Sequence, residues 1–108
     1  MFLLFIFSLV FSSTLHSKEQ IESCNDETCY KQFVKMRKFA RNGSPQAQYL
    51  VSHMFRDGLG TDKDIEKSFK WMKKAAVRKL GVAEYEVALM YRNGVGTEVN
   101  EEKYRKYL

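Results

Sequence analysis

The residues best suited to nucleophilic or metal chemistry in this 108-residue sequence are two cysteines, Cys24 and Cys29, and two histidines, His16 and His53. A cysteine nucleophile needs a histidine beside it as base, and nothing in the spacing supports such a pair. Two thiols alone do not complete a tetrahedral zinc site. The serine motifs of hydrolases and the glycine-rich loops that bind phosphate do not occur in the sequence. We therefore expect no catalytic residue, no metal, no cofactor and no enzyme activity.

The N-terminal segment, residues 1–17, contains no Asp, Glu, Lys or Arg and carries an apolar run from Phe2 to Phe11. An apolar run followed by small polar residues is typical of a secretory signal peptide. Ten helical residues span about 15 Å, which is half of the bilayer core. We therefore predict a signal peptide over 1–17, a periplasmic or secreted bacterial protein, and no stable membrane span after cleavage. An uncleaved anchor and a misassigned start codon are the alternatives.

Export determines what the two cysteines can do. In an oxidising compartment an even pair most simply forms a disulfide. We therefore expect a bond between Cys24, in an N-terminal leader that covers residues 18–28, and Cys29, which directly follows that leader. So short a loop would stabilise the fold only at the low end of about 0–5 kcal/mol. Two free thiols are the alternative.

The strongest pattern in the sequence is an internal repeat with a period of 36 residues. Aligning residues 44–72 with 80–108 gives 11 identities in 29 positions without a gap, and the same offset matches several residues of 29–43. A fixed period of this length is typical of stacked helical units. The pattern predicts a half repeat over 29–43, a repeat over 44–79 and an incomplete repeat over 80–108.

Each unit is predicted to be a pair of helices, because apolar residues recur in it at helical spacing. Gly58 suits the end of the first helix, Gly60 keeps the connection tight, and Asp64 suits the N-cap of the second helix. The sequence therefore predicts an all-α solenoid of helix-turn-helix repeats with five helices, the last one short. The expected helices are Thr28–Asn42, Pro45–Asp57, Asp64–Arg78, Val82–Asn93 and Glu101–Leu108.

These motifs resemble the Sel-1-like repeat family, a relative of the tetratricopeptide repeat, over about residues 29–108. The residues that carry the resemblance are Ala47, Phe55, Gly58, Gly60, Asp64, Trp71, Ala75, Ala76, Ala83, Tyr91, Gly94 and Gly96. Two departures from the family pattern stand out. Ser52 replaces a small glycine, and Lys79 stands where a glycine usually ends the second helix. A lysine in the left-handed conformation there would cost about 1 kcal/mol.

The resemblance implies a TPR-like superhelix that acts as a protein–protein interaction module and holds a peptide or partner protein. In such folds the first helices of successive repeats line a concave groove. The candidate groove residues are Gln46, Tyr49, His53, Arg56, Tyr85, Leu89 and Arg92. Arginine forks suit carboxylates, and tyrosine and leucine offer apolar contact. Alternatively, the arginines support the solenoid, the tyrosines pack in it, and His53 is a solvated surface residue.

Two other functions stay open. Some secreted relatives suggest a small β-lactam-binding or hydrolase-like repeat protein, although the serine motif of such enzymes is missing. The abrupt end at Leu108 suggests a truncated remnant of a longer array. It also leaves the apolar sides of Tyr104, Tyr107 and Leu108 uncovered, which predicts self-association through the C-terminal end.

The net charge of +5 is unevenly distributed along the chain. Residues 18–29 carry a net charge of −3, and residues 30–108 carry +8. Nucleic acid is a poor partner for an exported protein, and attraction to acidic proteins or an anionic membrane surface is expected to be weak. One helix face carries four lysines, which we interpret as a solubilising surface. These lysines are Lys63, Lys67, Lys70 and Lys74.

Overall fold

The computed structural model describes residues 26–108. The predicted signal peptide over 1–17 and Cys24 lie outside these residues, so export and the disulfide stay predictions. The described part consists of five helices without a strand: α1 (Glu27–Arg41), α2 (Pro45–Asp57), α3 (Ile65–Val77), α4 (Gly81–Asn93) and α5 (Glu101–Lys106). The all-α fold is thus confirmed, and each helix end lies within two residues of its expected position.

Four of the five helices begin at a residue whose side chain accepts a hydrogen bond from the backbone N–H three residues further on. Such a cap satisfies one of the N–H groups that lack a partner inside the helix. The donor–acceptor distances range from 2.9 to 3.2 Å. The helix α4 follows Leu80 without a side-chain cap. The capping residues are Asp26, Ser44, Asp64 and Asn100.

The helices end in left-handed backbone conformations at regular intervals. Gly58 and Gly94, one period apart, end α2 and α4 at φ 71° and 67°. Gly43 and Lys79, also one period apart, follow α1 and α3 at φ 98° and 67°. Lys79 thus adopts the conformation in which a lysine is strained, and it is the sole non-glycine residue with positive φ between residues 26 and 108.

The loop after each first helix touches the start of a second helix. A Cβ atom on Gly60 would collide with the carbonyl oxygen of Cys29, and one on Gly96 would collide with the carbonyl oxygen of Ile65. Cys29 and Ile65 are themselves one period apart. The close approach therefore recurs with the repeat and requires glycine at both loop positions.

Two hydrophobic clusters of the same design form the core. In the first, the ring of Phe33 meets Phe55 edge to face with centroids 5.2 Å apart, and in the second Phe69 meets Tyr91 in the same geometry at 5.2 Å. Edge-to-face packing is a preferred geometry for aromatic pairs. The remaining buried members are Ala40, Ala47 and Val51 in the first cluster and Met72, Ala75, Ala76, Ala83, Val87 and Met90 in the second.

Each helix packs mainly against its neighbours in the sequence, as stacked helical pairs require. Trp71 is half-buried and packs beside the first cluster. None of the helices within 26–108 combines the length and the hydropathy that crossing a bilayer demands.

Candidate functional site

The predicted groove residues of α2 form a partly buried group. Tyr49 packs against the second core cluster, and its ring meets that of His53 edge to face at 4.5 Å. The Nε atom of Arg56 lies 3.4 Å from the Oδ1 atom of Asp57. Gln46 is exposed. The tyrosine is thus partly a packing residue, and Arg56 is half-buried with a weak acidic partner beside it.

His53 is half-buried, and three charged residues act on its pKa. Burial lowers the pKa of His53 below its usual value of about 6.5, and the charge of Arg56 lowers that pKa further, while Glu86 and Asp57 raise it less. The Nε2 atom of His53 is buried without a hydrogen-bond partner in the described chain. His53 is therefore a neutral ring packed on Tyr49 at pH 7, and not the solvated surface histidine of the alternative interpretation.

The predicted groove residues of α4 are more exposed. Tyr85 has 56% of its surface exposed, and Leu89 is half-buried. The guanidinium of Arg92 lies 5.5 Å from the ring centroid of Tyr104 on α5. Tyr49 of α2 packs against the second cluster, to which α4 contributes Ala83 and Val87, so the two first helices meet at this cluster. Arg56 and Arg92 occupy equivalent helix positions but contact different partners.

A second candidate surface is a cleft on a different face of α2, between α1 and α3. The cleft has a volume of about 890 Å³. None of the seven predicted groove residues lines it. The residues around it are Arg37, Ala40, Arg41, Gly43, Gln48, Phe55, Lys67, Lys70, Trp71, Lys73, Lys74, Val77 and Arg78.

Seven of the residues that line the cleft are Lys or Arg, and none is Asp or Glu. Among the ion pairs of residues 26–108, only one involves a cleft cation, between Lys67 Nζ and Asp64 Oδ2 at 3.9 Å. The other six cations have no carboxylate within 4 Å in this part of the chain. The cleft is therefore a concentrated positive site whose charges are largely uncompensated.

Aromatic rings lie beside three of these cations, and the guanidinium of Arg37 lies 5.2 Å from the ring centroid of Phe33. The Nζ atom of Lys74 lies 4.4 Å from the ring centroid of Trp71, and that of Lys67 lies 5.6 Å from the ring centroid of Phe55. An ammonium group over a ring face is attracted by the negative face of the ring. The two lysines are thus positioned along the cleft before any ligand binds.

The floor of the cleft contains a polar atom without a partner. Gln48 is 3% exposed, and its Nε2 donates a hydrogen bond of 3.1 Å to the carbonyl oxygen of Ala40. Its Oε1 is buried without a hydrogen-bond partner in the described chain. At one end, the guanidinium of Arg78 reaches Gly43, where its nearest nitrogen lies 2.8 Å from the position that a Cβ would occupy. The cleft thus combines a basic rim with an unused hydrogen-bond acceptor.

Sequence reasoning found part of this surface, namely Lys67, Lys70 and Lys74. The lysine face of the third helix was visible, but the cleft exists only because Arg37 and Arg41 of α1 lie opposite that face. The position of these arginines opposite the lysines depends on how the three helices pack, and the sequence pattern of a single helix does not predict it. The burial of Gln48 was equally hidden, because its partner is a backbone carbonyl of another helix.

Comparison with known proteins identifies the repeat. A family profile described as Sel1 repeat matches residues 45–76 and 81–108, which together exceed half of the chain. The chain belongs to the Sel1 repeat family. Sel1 repeats are generally protein–protein interaction modules. No curated protein matches the sequence.

Two solved structures share the fold of this Sel1 repeat chain. One is a Sel1 repeat protein from Oxalobacter formigenes, with 32% sequence identity and a TM-score of 0.65 over 67% of this chain and 54% of that one. The other is c5321, a protective antigen present in uropathogenic Escherichia coli strains, which displays an SLR fold. It shares 26% identity and a TM-score of 0.69 over 72% of this chain and 17% of that one. This chain thus spans about half of the first structure and under a fifth of the second.

Proposed function

We propose that this chain is an exported adaptor that holds a peptide or partner protein against the groove formed by its first helices, α2 and α4. Membership of the Sel1 repeat family supports the interaction role. The observation that carries the choice of surface is the exposure of apolar side chains on these helices. Leu50 is 48% exposed, Val82 is 47% exposed and Tyr85 is 56% exposed. Exposed large apolar side chains on an otherwise polar surface are typical of docking sites.

The groove combines apolar and charged contacts. Tyr85 and Leu50 would bury a partner's apolar side chains, and tyrosine does so at a low cost in conformational entropy. The guanidinium of Arg92 would bind a partner carboxylate, because its planar fork matches the two carboxylate oxygens. His53 stays neutral at pH 7 and would contribute shape rather than charge. The adaptor would work in the periplasm or outside the cell, which rests on the signal peptide predicted over 1–17.

Affinity capture from the exporting compartment tests this proposal. The test variant is Leu50→Ser with Tyr85→Ser, which removes the apolar contact at exposed positions. The control variant is Val34→Ser with Val99→Ser, because these residues are 37% and 66% exposed and lie outside the first helices. We expect the test variant to lose partners that the wild-type chain and the control retain, with unchanged melting temperatures. If the test variant still captures the same partners, the groove on α2 and α4 is not the binding surface.

A further inference from the structure

The cleft between α1 and α3 has features that a merely solvated lysine face does not require. It is concave, its cations come from two helices, and its floor holds the buried Oε1 of Gln48 without a partner. A buried acceptor left unpaired costs roughly 1–3 kcal/mol. A ligand that donates a hydrogen bond to Gln48 while it places negative charge on the rim would relieve both the unpaired acceptor and the repulsion among the cations.

We propose that this cleft is a second binding site, which accepts an acidic, extended peptide segment of a partner protein. A polypeptide supplies both required groups, since its backbone offers N–H donors along its length and Asp or Glu side chains supply carboxylates. The acidic side chains contact the rim lysines of α3 and Arg37 and Arg41 of α1. A backbone N–H of the peptide donates to the Oε1 atom of Gln48.

The shape of the cleft favours a peptide over other polyanions. A membrane surface is broad and meets a protein through protruding groups, so it contacts the rim of a concave site and not its floor. A nucleic acid binds mainly through phosphates, which are acceptors and leave the Oε1 atom of Gln48 unpaired. The half-buried ring of Trp71 beside Lys74 offers an apolar wall for the aliphatic part of a peptide side chain.

This inference deepens the proposed function, because it rests on the chain being a protein-binding module and names the chemistry of a second surface. It does not use the groove on α2 and α4. The two can therefore fail separately. If the variant Leu50→Ser with Tyr85→Ser binds an acidic peptide and captures partners as well as the wild-type chain does, the groove proposal fails and the cleft proposal stands. If the groove variant loses its partners but no acidic peptide binds the wild-type chain, only the cleft is wrong.

Trp71 provides a direct reporter, because it is the single tryptophan of the sequence and lines the cleft. The full-length chain is titrated with a synthetic peptide of alternating glutamate and serine while the emission of Trp71 is recorded. We expect a saturable change, because carboxylates that bind Lys74 draw its ammonium away from the ring. The same peptide with glutamine in place of glutamate should give no change. An unchanged emission with the glutamate peptide would overturn the proposal.

Charge-matched variants separate the cleft from general attraction to a basic protein. The variant Lys70→Glu with Lys73→Glu reverses two exposed rim charges, and Lys35→Glu with Lys106→Glu makes the same change in net charge away from the cleft. We expect the first pair to raise the Kd of the acidic peptide about tenfold or more, and the second to change it about twofold or less. Equal effects of the two pairs would overturn the proposal.

The floor contact has its own test. Gln48→Glu places a carboxylate at the floor and also removes the donor to the carbonyl oxygen of Ala40, so the melting temperature of this variant is measured beside the titration. Glu84 occupies the equivalent position one period later, where it is half-buried. We expect this variant to weaken acidic-peptide binding as strongly as the rim variant does. Unchanged binding would overturn the floor contact. Tighter binding of a sulfated glycan, a single-stranded oligonucleotide or phosphatidylglycerol vesicles, recorded by the same emission, would overturn the assignment to a peptide.

Discussion

The hydroxyl of Ser52 donates a hydrogen bond of 2.6 Å to the backbone carbonyl of Ser68, at the place where α2 crosses α3. The two hydroxyl oxygens lie 3.0 Å apart, and both side chains are fully enclosed. Since Ser52 uses its proton on the carbonyl, the hydroxyl of Ser68 donates to Ser52. The serine that departs from the family's small glycine is thus a satisfied polar contact between two helices.

The arrangement of the serine pair predicts unequal effects of removing either hydroxyl. Ser52→Ala leaves the hydroxyl of Ser68 buried without an acceptor, so it should lower the free energy of unfolding by about 1–2 kcal/mol. Ser68→Ala leaves the bond from Ser52 to the carbonyl in place and should cost about 0.5 kcal/mol. Urea denaturation of the two variants and the double variant measures the difference. Equal losses from the two single changes would contradict this description of the bonds.

The fold could be predicted from the sequence because its tertiary contacts repeat with the sequence. The pair Phe33 and Phe55 recurs as Phe69 and Tyr91, at the same centroid distance and the same geometry. A period of 36 residues therefore predicts both the helices and the contacts between them. Helix ends were predictable for the same reason, since the capping and glycine positions recur.

The candidate sites were less accessible to sequence reasoning. The pKa of His53 depends on its burial and on the charge of Glu86 on α4, which lies more than 30 residues away in the sequence. The basic cleft depends on Arg37 and Arg41 facing α3 across α2. A helical pattern predicts which residues share a face of one helix, but not which charges of another helix come to lie opposite that face.

Lys79 offers a route to a more stable chain. It holds φ at 67° after α3, where its counterpart Gly43 adopts the left-handed region without the clash of a Cβ atom. Lys79→Gly should raise the free energy of unfolding by about 0.5–1 kcal/mol, which corresponds to a rise of several degrees in melting temperature. Lys79→Ala is the matched control, because it removes the charge and keeps the strained Cβ. The hypothesis of strain fails if alanine stabilises as much as glycine.

Gly58 and Gly60 both have φ 71°, so a side chain at either position is strained by the backbone conformation. The two positions differ only in the space available for a Cβ atom. The nearest side-chain atom to a Cβ on Gly58 would be the Cβ of Lys63 at 3.5 Å, an ordinary contact, whereas a Cβ on Gly60 would collide with the carbonyl oxygen of Cys29. Gly58→Ala should therefore cost about 1 kcal/mol from the backbone alone. Gly60→Ala should cost about 3 kcal/mol or more, because α1 must also move. Chemical denaturation measures both, and equal costs would contradict the close approach to α1.

His53 should make the stability of the chain depend on pH in a predictable direction. The pKa of His53 is lowered in the folded chain by burial and by Arg56, so the unfolded chain binds a proton more readily as the pH falls below about 6.5. Stability then falls as the pH drops from about 6.5 toward the lowered folded pKa, and it is independent of His53 above about 7.5.

The variant His53→Phe keeps a ring against Tyr49 and removes the titrating group. We expect it to flatten the loss of stability between about pH 6.5 and 5.5, a window above the titration of ordinary carboxylates. Thermal unfolding across this window compares the two chains, and a proton NMR titration of the His53 ring gives its folded pKa directly. A folded pKa of about 6.5 would contradict the burial of the ring, and the phenylalanine variant would then share the pH profile of the wild-type chain. A folded pKa above that value would make the wild-type chain more stable at low pH and would contradict the predicted direction.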